Sequence, residues 1–282
     1  MNHFIRFYFF AAILVLFSSC AHLVKLDLAQ RNFNEAASIE NAARFGQQAN
    51  ASSPESHYAL AYAALKDALK KKGQLDQDGL LGNTYALQAL CEWKLQEYSE
   101  ARKTAKIALT YLIDDEKPNG AILTRDAAVM KSLDALITID ETNQAVYRFF
   151  QSKGPIPLDS CRQFLEQYLW KTSGAETGNL QAALGAITGV LKQVPIKHEV
   201  RNYLVMAQLG GTKVWSDALH FLNNNRKKFP SGSTEREAIQ TYWSSQRALF
   251  KTEREELLDD FAQLFQEGTN SPLYLHWKFI LG

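Results

Sequence analysis

An all-α fold is predicted by three features of this chain. Apolar residues recur at spacings of three and four, stretches that alternate apolar and polar in strand fashion do not rise above noise, and turn formers are scarce. Gly and Pro number 15 and 7 among 282 residues, about 8% against an average near 12%. With 46% hydrophobic and 22% charged residues, the composition is that of a globular protein and excludes wholesale disorder. Thirty-one basic side chains face 30 acidic ones. This balance provides no positive field for nucleic acid, so no nucleic-acid partner is expected.

The first segment reads as an export signal. Arg6 is the only formal charge before residue 20, and it precedes eleven apolar residues from Phe7 to Phe17. A permanent membrane helix needs about 20, whereas a signal-peptide core needs fewer. Small residues follow as Ser18-Ser19, then Cys20. The tetrapeptide Phe17-Ser18-Ser19-Cys20 resembles the lipobox of bacterial lipoproteins, with Phe17 in place of the usual Leu. The resemblance implies cleavage before Cys20, a diacylglycerol on its thiol and a fatty acyl chain such as palmitate on its new amino group. Two or three chains anchor firmly where one would leak. Ala21, in the place where Asp favours the inner membrane, leans toward the outer membrane, with the protein facing the periplasm. The alternatives are an ordinary secretory signal or an uncleaved anchor. The expected division is a signal peptide over 1–19, a lipid-anchored tether over 20–27, a helical repeat domain over 28–267 and a capping segment over 268–282.

Along the mature chain, Tyr58, Tyr62, Leu65 and Leu69 form one helical stripe. Leu87, Leu90, Cys91 and Trp93 to Leu95 lead into Tyr98; Phe164, Leu165, Tyr168 and Leu169 form another stripe, as do Leu257, Leu258, Phe261, Leu264 and Phe265. Loops are expected at Ala51–Pro54, Gly73–Gly82, Glu116–Gly120, Gly154–Pro157, Ser173–Gly178 and Pro230–Ser233. The segments between are about 12 to 20 residues long, the length of ordinary helices.

A four-residue signature recurs: a large apolar residue, two polar or small ones, then Ala. It occurs at Phe33–Ala36, Tyr98–Ala101, Leu180–Ala183 and Trp215–Ala218. The last two are 35 residues apart, and each has a proline twelve residues after its alanine, Pro195 and Pro230. The clearest unit is Ala89–Leu109, in which Leu95 ends one helix and Tyr98 and Ala101 open the next. Ala105 and Ala108 let that second helix sit close to its neighbours. At these residues the chain resembles the tetratricopeptide repeats, whose period is 34. The resemblance implies a solenoid of stacked helical hairpins. The spacing departs from it, since 65 residues separate Ala36 from Ala101 and 82 separate Ala101 from Ala183. Glu40 stands where an apolar residue belongs, and Asn225 where a small one does. An unrelated helical bundle is the alternative.

Motifs of catalysis are not found in the sequence, and no enzyme activity, cofactor or metal is expected. There is no Gly-x-Ser-x-Gly, Ser-x-x-Lys or His-Glu-x-x-His. Lys171-Thr172-Ser173-Gly174 reads as a loop, and the adjacent His198 and Glu199 read as surface. Asp76-Gln77-Asp78-Gly79 lacks the oxygen ligands of a calcium loop, because Leu87 stands where the closing Glu belongs. Gly210-Gly211 reads as a relaxed helix end, and Glu255, Glu256, Asp259 and Asp260 as a solvated acidic face. Cys91 and Cys161 remain once Cys20 is lipidated. A disulfide between them would close a loop of about 70 residues and contribute roughly 4 kcal/mol, but two separate thiols, Cys91 buried, are the favoured expectation.

The function expected is that of a lipid-anchored envelope scaffold or adaptor whose repeat surface holds a protein or peptide. The resemblance places partner contacts on first helices, at Leu90, Trp93, Lys94, Tyr203 and Ala207. The competing expectation is that Trp93 and Tyr203 are core. The apolar C-terminus, Tyr274 to Leu281, is expected to cap the last helices. The alternative function is an envelope enzyme, or a transporter-associated small-molecule binder with a site in a helical cavity.

Overall fold

The computed structural model describes residues 20–44, 53–113, 125–170, 179–193, 198–265 and 268–281. Every element in them is helical, as predicted, and no strand occurs among the described residues. The chain divides into two compact units, 1–131 and 132–282.

The first unit begins with α1 (Ala21–Arg44) and α2 (Pro54–Ala68), which pack along each other. Within the tether expected over 20–27, residues 21–27 form the first turns of α1 and Cys20 directly precedes it. His22, Leu26, Ala29 and Ala36 are buried. Together with the half-buried Phe33 they follow spacings of 4, 3, 4 and 3, so one face runs unbroken from the helix start. Phe33 meets the Tyr58 ring edge-on at 5.2 Å. Ser53 caps α2, its Oγ accepting the Glu55 N–H at 3.2 Å, with Pro54 in the first turn.

The expected loop over Gly73–Gly82 is also corrected. After a 3-10 turn (Leu69–Lys71), residues Lys72–Gln77 form the short helix α3, and α4 (Leu81–Lys94) follows the turn at residues 78–80. Leu75, wholly buried, pulls this glycine-containing stretch into a helix. Gly79, at φ 68°, closes α3 with Leu80 N–H donating to Leu75 O and Gly79 N–H to Asp76 O. The same closure ends α4. Glu97 N–H donates to Glu92 O, Gln96 N–H donates to Trp93 O, and Gln96 takes the left-handed conformation at φ 63°. The chain then reverses into α5 (Tyr98–Leu112), so Leu95 and Tyr98 mark the turn where the sequence puts it. Ala101, Ala105 and Ala108 are buried along the α4–α5 seam. At Gly82 a Cβ would stand 3.0 Å from both Leu112 Cδ2 and Tyr111 Cβ, so the close approach of the two helices requires glycine there.

A long helix, α6 (Arg125–Phe150), contains the division between the units. Its first turn is held to α4 by Asn83 Nδ2 donating to Asp126 Oδ2 at 2.6 Å. The second unit continues with α7 (Leu158–Tyr168), α8 (Asn179–Gln193), α9 (His198–Arg226), α10 (Thr234–Phe265) and α11 (Pro272–Ile280). Its core includes Leu133, Ile137, Leu165, Trp170, Leu180, Ile187, Leu204, Trp215, Leu222 and Phe261. Trp170 and Trp215 stack with centroids 4.9 Å apart. Ser271 caps α11, and Tyr274 and Leu281 are buried while Leu275 and Phe279 are exposed.

All four signatures lie inside helices, at different depths. Phe33–Ala36 lies within α1, and Trp215–Ala218 lies within the 29-residue α9. The Gly210-Gly211 pair, expected to relax a helix end, is mid-helix. Its role is steric, because a Cβ on Gly211 would stand 2.8 Å from Leu184 Cδ2 and 3.0 Å from Ile139 Cδ1. Burial of that contact holds the glycines helical despite their low propensity. Tyr98–Ala101 and Leu180–Ala183 do sit in the first turns of helices. Expectations for Lys171–Gly174, for the Glu116–Gly120 and Ser173–Gly178 loops and for Pro195 lie outside the described residues, as do the side chains of His198 and Glu199.

Candidate functional site

The first candidate is the start of α1. Cys20 is exposed and sits directly before the helix, its carbonyl accepting from the N–H groups of Leu23 at 3.1 Å and Val24 at 3.2 Å. His22 is 4% exposed, and its Nε2 lies 2.7 Å from Asp78 Oδ2 in the turn after α3. Lys25 reaches Asp67 on α2 at 3.6 Å. The helix start is therefore locked against two other elements. Leu23, Val24 and Leu28 face outward, with Val24 64% and Leu28 45% exposed.

The second candidate surrounds Lys94 at the end of α4. Its Nζ donates to both Glu40 carboxylate oxygens at 2.9 Å and lies 5.0 Å from the Trp93 ring centroid. Tyr58 donates its hydroxyl proton to Glu40 Oε2 at 2.8 Å. Glu40, the residue that broke the repeat pattern, thus joins α1, α2 and α4. At Trp93 the competing expectation of a core side chain is the one that burial matches. Trp93 is buried, Leu90 is half-buried, and Lys94 spends its charge on an internal carboxylate. Deeper in the unit, Gln88 Nε2 donates to the buried Glu92 at 2.6 Å. Burial, followed by the nearby Glu92 carboxylate, raises the Tyr62 pKa.

In the second unit, Tyr203 and Met206 are exposed on α9 with Ala207 half-buried beside them, an apolar face open to solvent. The expectation that Tyr203 is core is corrected by its 44% exposure. Near the end of α9 the buried Asn225 binds Ile156 through both its amide atoms at 2.8 Å. An open depression of about 300 Å³ is bounded by Arg226, Gly232, Arg236, Glu237, Gln240 and Thr241. Both its arginines are engaged within the protein, Arg236 with Phe229 O and Ser231 Oγ, Arg226 with Asn223 Oδ1.

No group of three His, Cys, Asp or Glu side chains suited to a metal occurs among the described residues. The Asp76–Gly79 segment is the end of α3, where Asp78 serves His22. Cys91 and Cys161 are buried thiols in different units and form no disulfide. Burial raises each pKa to about 12, so both stay protonated. Glu255, Glu256 and Asp259 are exposed, and Asp260 pairs with Lys192 at 3.0 Å.

The outward apolar stripe of α1 carries Leu23 and Val24 within the expected tether and Leu28 just beyond it. Glu40 and Asn225 were visible as departures from the repeat pattern, which was the available signal. No family model, curated protein or solved structure matches this chain.

Proposed function

We propose that this protein is a lipid-anchored scaffold of the bacterial cell envelope, acylated at Cys20 and binding a protein or peptide through its helical surface. The observation that carries the reading is the arrangement of the N-terminus. A single cation, an eleven-residue apolar run and two serines precede a cysteine, and that cysteine is exposed directly before α1. Acylation chemistry needs this access, since a buried thiol such as Cys91 could not receive a lipid. The helical hairpin of α4 and α5, with its alanine seam, supports a tetratricopeptide-like architecture for the first unit. For the partner surface, the exposed face of Tyr203 and Met206 with Ala207 replaces the region of Trp93.

Metabolic labelling with a fatty-acid analogue tests the reading. The wild-type chain is expected to incorporate label and to fractionate with membranes, and Cys20→Ala to lose both. Labelling that survives Cys20→Ala overturns the anchor. For the partner surface, Tyr203→Asp combined with Met206→Asp is expected to abolish cross-links to envelope proteins while the helical circular-dichroism signal is retained. Cross-links that persist unchanged would move the interaction elsewhere.

A further inference from the structure

Resting on acylation of Cys20, we infer that the outer stripe of α1 lies directly on the phospholipid bilayer and fixes how the first unit is oriented on the membrane. Lipid-anchored chains can hold their folded part away from the membrane on a flexible segment; here no such segment exists. The helix begins at Ala21, one residue after the acylated position, and buried His22 and Leu26 pin its first turns to the rest of the unit. At 1.5 Å rise per residue, Leu28 is only about 12 Å along the axis from Cys20.

Direction matters as much as distance. Cys20, Val24 and Leu28 follow one another at four-residue spacing and therefore share one helix face. Leu23 borders that face, and all four residues are exposed. The buried set of His22, Leu26, Ala29 and Ala36 occupies the opposite side. Acyl chains leaving Cys20 into the hydrocarbon thus draw the Val24–Leu28 stripe against the headgroup layer, where apolar side chains on a surface helix embed. Asp27 and Arg31 share this exposed face and close an ion pair on it at 2.7 Å, so their charges are paired where the face meets the headgroup layer.

The test uses the full, acylated chain reconstituted in vesicles of equal parts phosphatidylethanolamine and phosphatidylglycerol. Single substitutions Val24→Cys, Leu28→Cys and Ser99→Cys are labelled with an environment-sensitive nitrobenzoxadiazole dye. The thioether blocks Cys20, and burial keeps the protonated Cys91 and Cys161 from reacting. Labels at 24 and 28 are expected to shift to shorter wavelength and to lose most of their emission to bromine-bearing lipid chains. The label at the exposed Ser99 position, on α5, is expected to do neither. Leu23→Cys supplies a further site if either variant loses its helical spectrum. If acylation is intact but labels at 24 and 28 remain water-like, the stripe is off the bilayer: the inference fails while the lipoprotein reading stands. Labels shielded from aqueous iodide yet untouched by brominated lipid would mean that a second copy covers the stripe, and this also overturns it. Loss of fatty-acid labelling in the wild-type chain would instead defeat the reading beneath.

Discussion

Asn225 and Ile156 are joined by two hydrogen bonds that reproduce a backbone pair with a side chain. The Ile156 N–H donates to Asn225 Oδ1 and the Asn225 amide donates to Ile156 O, each at 2.8 Å and each buried. The Asn225 amide also approaches Cys161 Sγ at 3.7 Å. One side chain on α9 thereby satisfies the loop that leads into α7. Asn225→Ala leaves the buried Ile156 N–H without a partner and its carbonyl with only the weak Cys161 thiol contact at 3.8 Å, and a loss of about 2–3 kcal/mol is expected. Asn225→Asp retains the acceptor but turns a carboxylate toward the Ile156 carbonyl, so it is expected to destabilise as well. Urea unfolding followed by circular dichroism measures both.

Neighbouring glycines in α9 are expected to respond with opposite signs. Nothing lies within 4 Å of a Cβ built on Gly210, whereas at Gly211 it would meet Leu184 at 2.8 Å and Ile139 at 3.0 Å. Gly210→Ala is expected to stabilise by about 0.5–1 kcal/mol through helix propensity. Gly211→Ala is expected to destabilise by about 1–3 kcal/mol through overpacking. Thermal melts of the two variants decide the matter, and equal shifts would contradict the packing described.

For the half-buried pair of Glu40 and Lys94, a double-mutant cycle is the appropriate measurement. The partners are 30% and 23% exposed, between a surface pair and a buried one. A coupling of about 1–2 kcal/mol is expected, above the usual surface value. Lys94→Ala is expected to cost more than Glu40→Gln with Lys94 retained, because it takes the cation from a half-buried carboxylate. Coupling near zero would return Lys94 to the role of a solvent-facing partner contact.

The two buried thiols make a prediction about alkaline pH. Each has its pKa raised by burial, from an ordinary value of 9.0 to about 12. In that interval the unfolded chain has lost protons that the folded chain keeps, so stability is expected to fall as pH rises from about 9 toward 12. Replacing both with Ala is expected to remove part of that slope while lowering stability at neutral pH. At neutral pH, a maleimide reagent is expected to leave Cys91 and Cys161 unmodified until urea unfolds the chain; rapid modification in the native state would contradict their burial.

Local patterns that depend on neighbours in the chain were legible from the residues themselves. The helical periods, the turn at Leu95–Tyr98 and the closely packed alanines of α5 each follow from spacing, propensity or side-chain size. Other features depend on partners far along the chain and were misread. The packing of residues 21–27 depends on His22 meeting Asp78, 56 residues away. Gly210-Gly211 resembled a helix end because its reason for remaining helical lies on α6 and α8.

Amino-acid order alone determined that this chain is helical and that a cysteine follows an eleven-residue apolar run and two serines, since periodicity and short motifs are local properties of a polymer. Which side chains remain outside was decided by the tertiary structure. Trp93 and Tyr203 carry comparable aromatic surface, yet one is buried and the other exposed, because burial depends on which helix covers a face. Glu40 and Asn225 broke a pattern in the sequence and became anchors once distant groups came within hydrogen-bonding range.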